Sequence, residues 1–181
     1  MKLFAFAAAA SAALALGSAA QAAPNLVTNG SFETSTQTIG HEFGASYIYG
    51  QSVTGWQSLS PTAFNLWFPD ATTATTVDAS TRFSEPGQYL WNLPGSVPDG
   101  RAFVALDGDP VASGALTQLI SGLTVGASYN LTFSWAAAQY RDRVGDTTER
   151  LDVSFGGESF STATVPNASM SSTGWLSLIH I

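Results

Sequence analysis

The sequence predicts an all-β protein, an antiparallel jelly-roll β-sandwich, on three observations. Beyond residue 23 the chain is rich in Thr, Ser, Gly, aromatic and β-branched residues and poor in Lys and Glu, a composition that favours strands over helices. Turn signals recur at short intervals, among them Asn29-Gly30, Glu85-Pro86-Gly87, Leu93-Pro94-Gly95, Pro98-Asp99-Gly100 and Gly156-Gly157. The stretch Gly114 to Trp135 also alternates cleanly. Its Tyr129, Leu131, Phe133 and Trp135 share one face, and Ser128, Asn130, Thr132 and Ser134 share the other, the period of a half-buried strand. We therefore expect this stretch to carry the core as two strands joined by a turn between Gly122 and Gly126.

Taken in order, the chain opens with Lys2, an apolar run from Leu3 to Leu16, and the small residues of Ala20-Gln21-Ala22. That pattern is a cleaved secretory signal over residues 1–22, with Ala23 as the mature N-terminus. The run is too short and alanine-rich to span about 30 Å of hydrocarbon, and no other window reaches a membrane-crossing length. Residues 23–181 then read as a single domain, with no internal repeat and no dividing linker.

Leu26-Val27-Thr28 predicts a first strand before the Asn29-Gly30 turn, and the polar residues from Thr34 to Gly44 predict a loop. Tyr47-Ile48-Tyr49 and Val53 to Trp56 read as short strands, and Phe64 to Phe68 as another that stops at Pro69. Residues 70–100 are dense in breakers, so they are expected at a functional rim or in a mobile segment. Arg101 to Leu106 is apolar on both faces and reads as a strand buried between layers. Arg141 to Glu149 is charged and reads as a solvated loop. Leu151, Val153 and Phe155 alternate with Asp152 and Ser154 before a Gly156-Gly157 hairpin turn. From Ser172 to Trp175 the chain approaches a further strand. Residues 176–181 read unlike the rest, as a non-native tail on a domain truncated before its closing strands.

Charge and composition exclude several functions. Without Lys2 the chain has five arginines against thirteen acids, a formal charge of −8, so nucleic acid is not an expected partner. Anionic lipid is disfavoured on the same ground. There is no cysteine, which removes disulfides, thiolate zinc sites and cysteine nucleophiles. About 160 mature residues can nevertheless bury roughly two-thirds of their unfolded surface, enough for a core without cross-links.

Asn25 to Glu33, Gly55-Trp56, Arg101 to Asp109, the Gly114–Trp135 stretch, Ala136 to Gln139 and Thr148 to Gly157 together resemble exported bacterial proteins that carry a PEP-CTERM sorting tail. Their ectodomains resemble galactose-binding-like jelly rolls. The resemblance implies a secreted, extracellular or envelope-associated protein of Gram-negative type, often linked to exopolysaccharide, with no established reaction. The Pro-Glu-Pro motif, apolar helix and basic residues of the sorting tail are not in this sequence.

The residues themselves offer little catalytic chemistry. His41 and His180 are the only histidines, too few for a metal triad or a Ser-His-Asp system, and no serine sits in a hydrolase-type glycine-flanked elbow. Two carboxylates could serve a glycosidase, but Glu149 and Asp152 fall on opposite faces, and Asp107 and Asp109 sit in a turn that they organise. We therefore expect no enzyme and no required cofactor. For the carboxylates, structural calcium is the expectation. Jelly-roll binding modules tie their first strand to their last through such an ion, and Glu33 occupies the matching position, with Asp107 as a weaker ligand. The alternative is that Glu33 caps a turn or faces solvent. Polysaccharide is the expected partner, because sugar rings stack on exposed aromatic rings beside polar groups. Tyr89, Trp91 and Tyr140, in breaker-rich or polar segments, are the candidate platforms, with Asp99 and Arg101 as hydroxyl partners, whereas Trp56 and Trp67 read as core.

Overall fold

The computed structural model describes residues 24–37, 46–48, 50–84, 87 and 89–180. The signal segment, His41, Glu42, Tyr49, Glu85, Pro86 and Ile181 lie outside them. The described chain is all-β. In order it forms β1 (Ser46–Tyr47), β2 (Gln57–Ser58), β3 (Leu66–Phe68), a 3-10 turn (Ala71–Thr73), β4 (Thr75–Thr76), β5 (Leu90–Trp91), β6 (Phe103–Ala105) and β7 (Leu116–Thr117). There follow β8 (Leu131–Trp135), β9 (Thr147–Glu149), β10 (Asp152–Phe155), β11 (Glu158–Ser161), β12 (Val165–Asn167) and β13 (Leu176–His180). Among the described residues no helix is long and apolar enough to cross a membrane.

The strands pair in small sheets, antiparallel except for the parallel pair β4–β5. β3 is the centre of the three-stranded sheet β1–β3–β6, and it is buried on both faces. Successive side chains on a strand point to opposite faces. Leu66 and Phe68 accordingly enter one apolar cluster with Ala71, Ala74, Tyr89, Leu90, Leu93 and Phe103, while Trp67 enters a second with Ile48 and Val53. Phe68 lies parallel to Phe103 at 4.6 Å and edge-on to Tyr89 at 5.6 Å, so the larger cluster is built on aromatic contacts.

The core is therefore not where the alternation placed it. Between Gly114 and Trp135 only Trp135 is buried. Tyr129, Leu131 and Phe133 are half-buried, and Leu123 and Val125 are exposed. The period is as expected, since burial alternates residue by residue along β8, but its depth is not. The hairpin is also absent: β7 pairs with β2, and β8 pairs with β13 from Leu176 opposite Trp135 to His180 opposite Leu131. Periodicity reports which side chains share a face, whereas depth depends on what packs over that face.

Residues 70–100, expected at a rim, instead supply much of the core. Ala74 accepts hydrogen bonds from Tyr89 and Leu90, and the parallel pair β4–β5 brings Thr76 beside Trp91, so breakers fold the segment back over β3. The loop expected from Arg141 to Glu149 contains β9, paired with β12, and it begins with a buried arginine, Arg141. Leu26-Val27-Thr28 forms no strand, Val53 makes only an isolated bridge to Ser35, and the strand near Trp56 begins one residue later at Gln57. Three local readings agree with the structure. The Asn29-Gly30 turn closes with Phe32 N–H on the Asn29 carbonyl at 3.0 Å, β3 ends before Pro69, and β10–β11 turn through Gly156 and Gly157, both at positive φ.

Candidate functional site

The Asn29 to Glu33 motif folds into a latch. The Asn29 side chain donates to the carbonyls of Thr34 and Thr54 and accepts from the Thr34 N–H. Two indoles close over the motif. Trp56 Nε1 donates to the Asn29 carbonyl at 3.0 Å, and Trp67 Nε1 donates to the Phe32 carbonyl at 2.8 Å. Phe32 is held at φ 61°, a conformation that a bulky residue adopts only when its surroundings impose it. The next residue reaches across the fold. Glu33 Oε1 accepts the backbone N–H groups of Arg101 at 2.6 Å and Ala102 at 2.7 Å, at the entry to β6.

Arg101 joins this latch to the 3-10 turn. Its carbonyl accepts from the Ala71 N–H, and its guanidinium pairs with Asp70, the residue that caps the turn. The Asp70 carboxyl is held below its ordinary value, first by the Thr72 hydroxyl and N–H, then by the Arg101 guanidinium, against a smaller opposing effect of burial. Because the folded carboxyl has the lower pKa, this stabilisation is complete above the unfolded value of about 4. It fades as pH falls from there through the folded value. Asp78 and Asp152, held low chiefly by the hydroxyls of Ser80 and Ser161, add to the same acid window. Asp70→Asn should therefore flatten the fall of the denaturant midpoint with pH below about 4. An unchanged slope would assign that fall to other carboxyls.

Glu33 and Asp107, the residues expected to hold calcium, have the following surroundings. The groups facing Glu33 Oε1 are N–H donors, whose positive ends oppose a cation, and among the described residues no three His, Asp or Glu side chains gather to hold a metal ion. Asp107 Oδ1 caps the Asp109 N–H, and Asp109 Oδ1 caps the Val111 N–H, each at 2.8 Å, so both carboxylates organise their turn. The arrangement at Glu33 is that of a structural latch.

As platforms, Tyr89 and Trp91 are corrected. They are 2% and 1% exposed, so neither ring offers a face to a ligand. Trp91 Nε1 donates to the Arg143 carbonyl at 3.1 Å, the Trp91 N–H donates to the Gln139 carbonyl, and the Tyr89 carbonyl accepts from the Arg141 N–H. Tyr140 is half-buried, edge-on to Tyr89 at 4.5 Å and bridged to Leu90. The rings of Tyr89 and Tyr140 do come together, but as packing. Asp99 is exposed, and Arg101, also exposed, is committed to Asp70. Trp67 is buried and Trp56 half-buried against the second cluster, as the sequence led us to expect.

Two open hollows mark the described surface. The first, about 450 Å³, lies on the β10–β11 hairpin between Arg150, Asp152, Ser154, Ser159, Phe160 and Ser161. It is charged: Arg150 meets Asp152 at 3.2 Å, and Asp152 also accepts from the Ser161 hydroxyl at 2.6 Å. The second, about 380 Å³, is a groove beside β2 and β7 lined by Gln51, Gly55, Gln57, Thr117, Gln118 and Leu119. Gln57 and Thr117 face each other across the strand pair. The Gln118 amide is fixed by a reciprocal pair with Thr28, accepting from its N–H at 2.7 Å and donating to its carbonyl at 2.8 Å. Gly55, at φ 82°, lets the chain pass close by, since a Cβ there would stand 3.2 Å from both the Gln118 amide nitrogen and Thr28 Cγ2. No local pattern marks these residues. Thr117 and Gln57 are 60 positions apart and meet only through strand pairing.

Fold and surface together define an all-β chain with open polar hollows and a latched N-terminal motif. Comparison with protein-family models, with curated proteins and with solved structures found no match.

Proposed function

We propose that this chain is an exported, non-catalytic cell-surface or matrix module of jelly-roll sandwich type that binds polysaccharide. The observation that carries the reading is the character of the two hollows. Both are open; the first is lined by charged, hydroxyl and apolar side chains and the second by amide, hydroxyl and apolar ones, the chemistry that meets sugar hydroxyls and C–H faces. The placement of β3 between two apolar clusters supports the sandwich. Lys2, the Leu3–Leu16 run and the Ala20-Gln21-Ala22 site support export.

The binding role is tested by affinity electrophoresis of the full chain in gels containing a panel of polysaccharides. Retardation by at least one of them, absent for an unrelated acidic protein, is expected. Uniform mobility in every gel would leave a purely structural surface protein. Turnover of a chromogenic glycoside, abolished by one carboxylate substitution, would replace the module with a hydrolase. Export is tested separately, because mass spectrometry of secreted protein should find Ala23 as its first residue.

A further inference from the structure

The charge arrangement narrows the ligand class, an inference that rests on the polysaccharide reading. A uronate-bearing or sulfated polymer needs cations free to meet it. Among the described residues all five arginines are engaged or buried. Arg101 pairs with Asp70, Arg143 with Asp142 at 3.6 Å, and Arg150 with Asp152. Arg82 is half-buried, reaches the Asp142 carbonyl at 3.5 Å and lies over the Phe83 ring, and Arg141 is 4% exposed. The sequence as a whole carries a formal charge of −7, so its field repels an anionic chain.

The groove beside β2 and β7 is the complement of that arrangement. None of its lining residues ionises. Gln51 and Gln57 are exposed, and each amide can donate and accept at once, as sugar hydroxyls require. The Gln118 amide is already locked to Thr28, so the wall it forms needs no ordering on binding. Leu119 is 94% exposed and gives the rim an apolar ledge for a C–H face. We propose that this groove, with Gln57 and Thr117 as its hydrogen-bonding centre, binds an uncharged polysaccharide.

Affinity electrophoresis of the full chain in gels containing a neutral galactomannan or a polyuronate tests this. Retardation by the neutral polymer should be insensitive to salt between about 0.05 and 0.5 M, since ionic contacts alone are screened over that range. It should weaken about tenfold in Gln57→Ala/Thr117→Val, the loss of roughly one or two good hydrogen bonds. Leu119→Ser, at a side chain whose exposure leaves folding unaffected, should weaken it several-fold, with circular dichroism confirming the fold of each variant. Salt-sensitive retardation by polyuronate, abolished by Arg150→Gln, would overturn the neutral groove while keeping the polysaccharide reading. Full neutral-polymer binding by the groove variants would also overturn the assignment. Free mobility in both gels would overturn the inference, and free mobility across the wider panel the reading beneath it.

Discussion

Trp91→Ala should destabilise the fold by about 3–5 kcal/mol, the usual cost of removing a fully buried large aromatic side chain. The indole is 1% exposed, so its removal leaves a cavity rather than a vacated binding surface. Two further losses accompany it. The Arg143 carbonyl forfeits its indole donor, and the junction at which β5 meets Gln139 loses its packing. Thermal unfolding followed by circular dichroism would show a melting temperature lower by about 6–20 °C for a chain of this size. The outcome also separates two roles for one residue. A variant that melts like the parent but no longer binds polysaccharide would make Trp91 a ligand platform and refute its place in the core.

The second large effect is expected at the latch. Glu33→Ala removes the acceptor of two backbone N–H groups at the entry to β6, joining positions 68 and 69 residues apart. Hydrogen bonds to a charged group contribute about 1.5–3 kcal/mol each, and the exposure of Glu33 reduces that through solvent screening, so a loss of about 2 kcal/mol is expected. Gly100→Ala attacks the same contact from the other side. Its φ of 72° disfavours any Cβ, and a Cβ there would overlap the Glu33 carboxylate. In the Glu33→Ala background the overlap disappears and only the backbone cost remains, about 1–2 kcal/mol. The two substitutions should therefore be less than additive by about 1 kcal/mol in a double-mutant cycle. Strict additivity in denaturant titrations would show that Glu33 and Gly100 do not share one contact.

What could be read from the residues was whatever depends on near neighbours. The β10–β11 hairpin was legible because alternation runs up to Gly156-Gly157, where both φ values are positive. The end of β3 was legible because Pro69 cannot continue a ladder. Residues 70–100 depart from expectation for the same local reason. Their prolines, glycines and aspartates do mark turns, but a turn says nothing about the burial of Tyr89, Leu90, Trp91 and Leu93 beside it. Tyr89, Leu90 and Trp91 are held there by Ala74, Gln139 and Tyr140, remote in sequence, and Leu93 joins the cluster around Phe68. The candidate platforms share that limit, since an aromatic residue next to a breaker reads as exposed from sequence alone.

From composition and period alone come the all-β class, the acidic surface, the absence of cross-links and the faces along β8, because each is a property of residue type or of backbone repeat. Tertiary structure decided three other things: that β3 rather than β8 lies at the centre, that Glu33 latches β6, and that Gln57 and Thr117 share a groove. These depend on pairings between distant segments. Burial and convergence belong to the partner a residue meets, and no stretch of neighbouring residues names that partner.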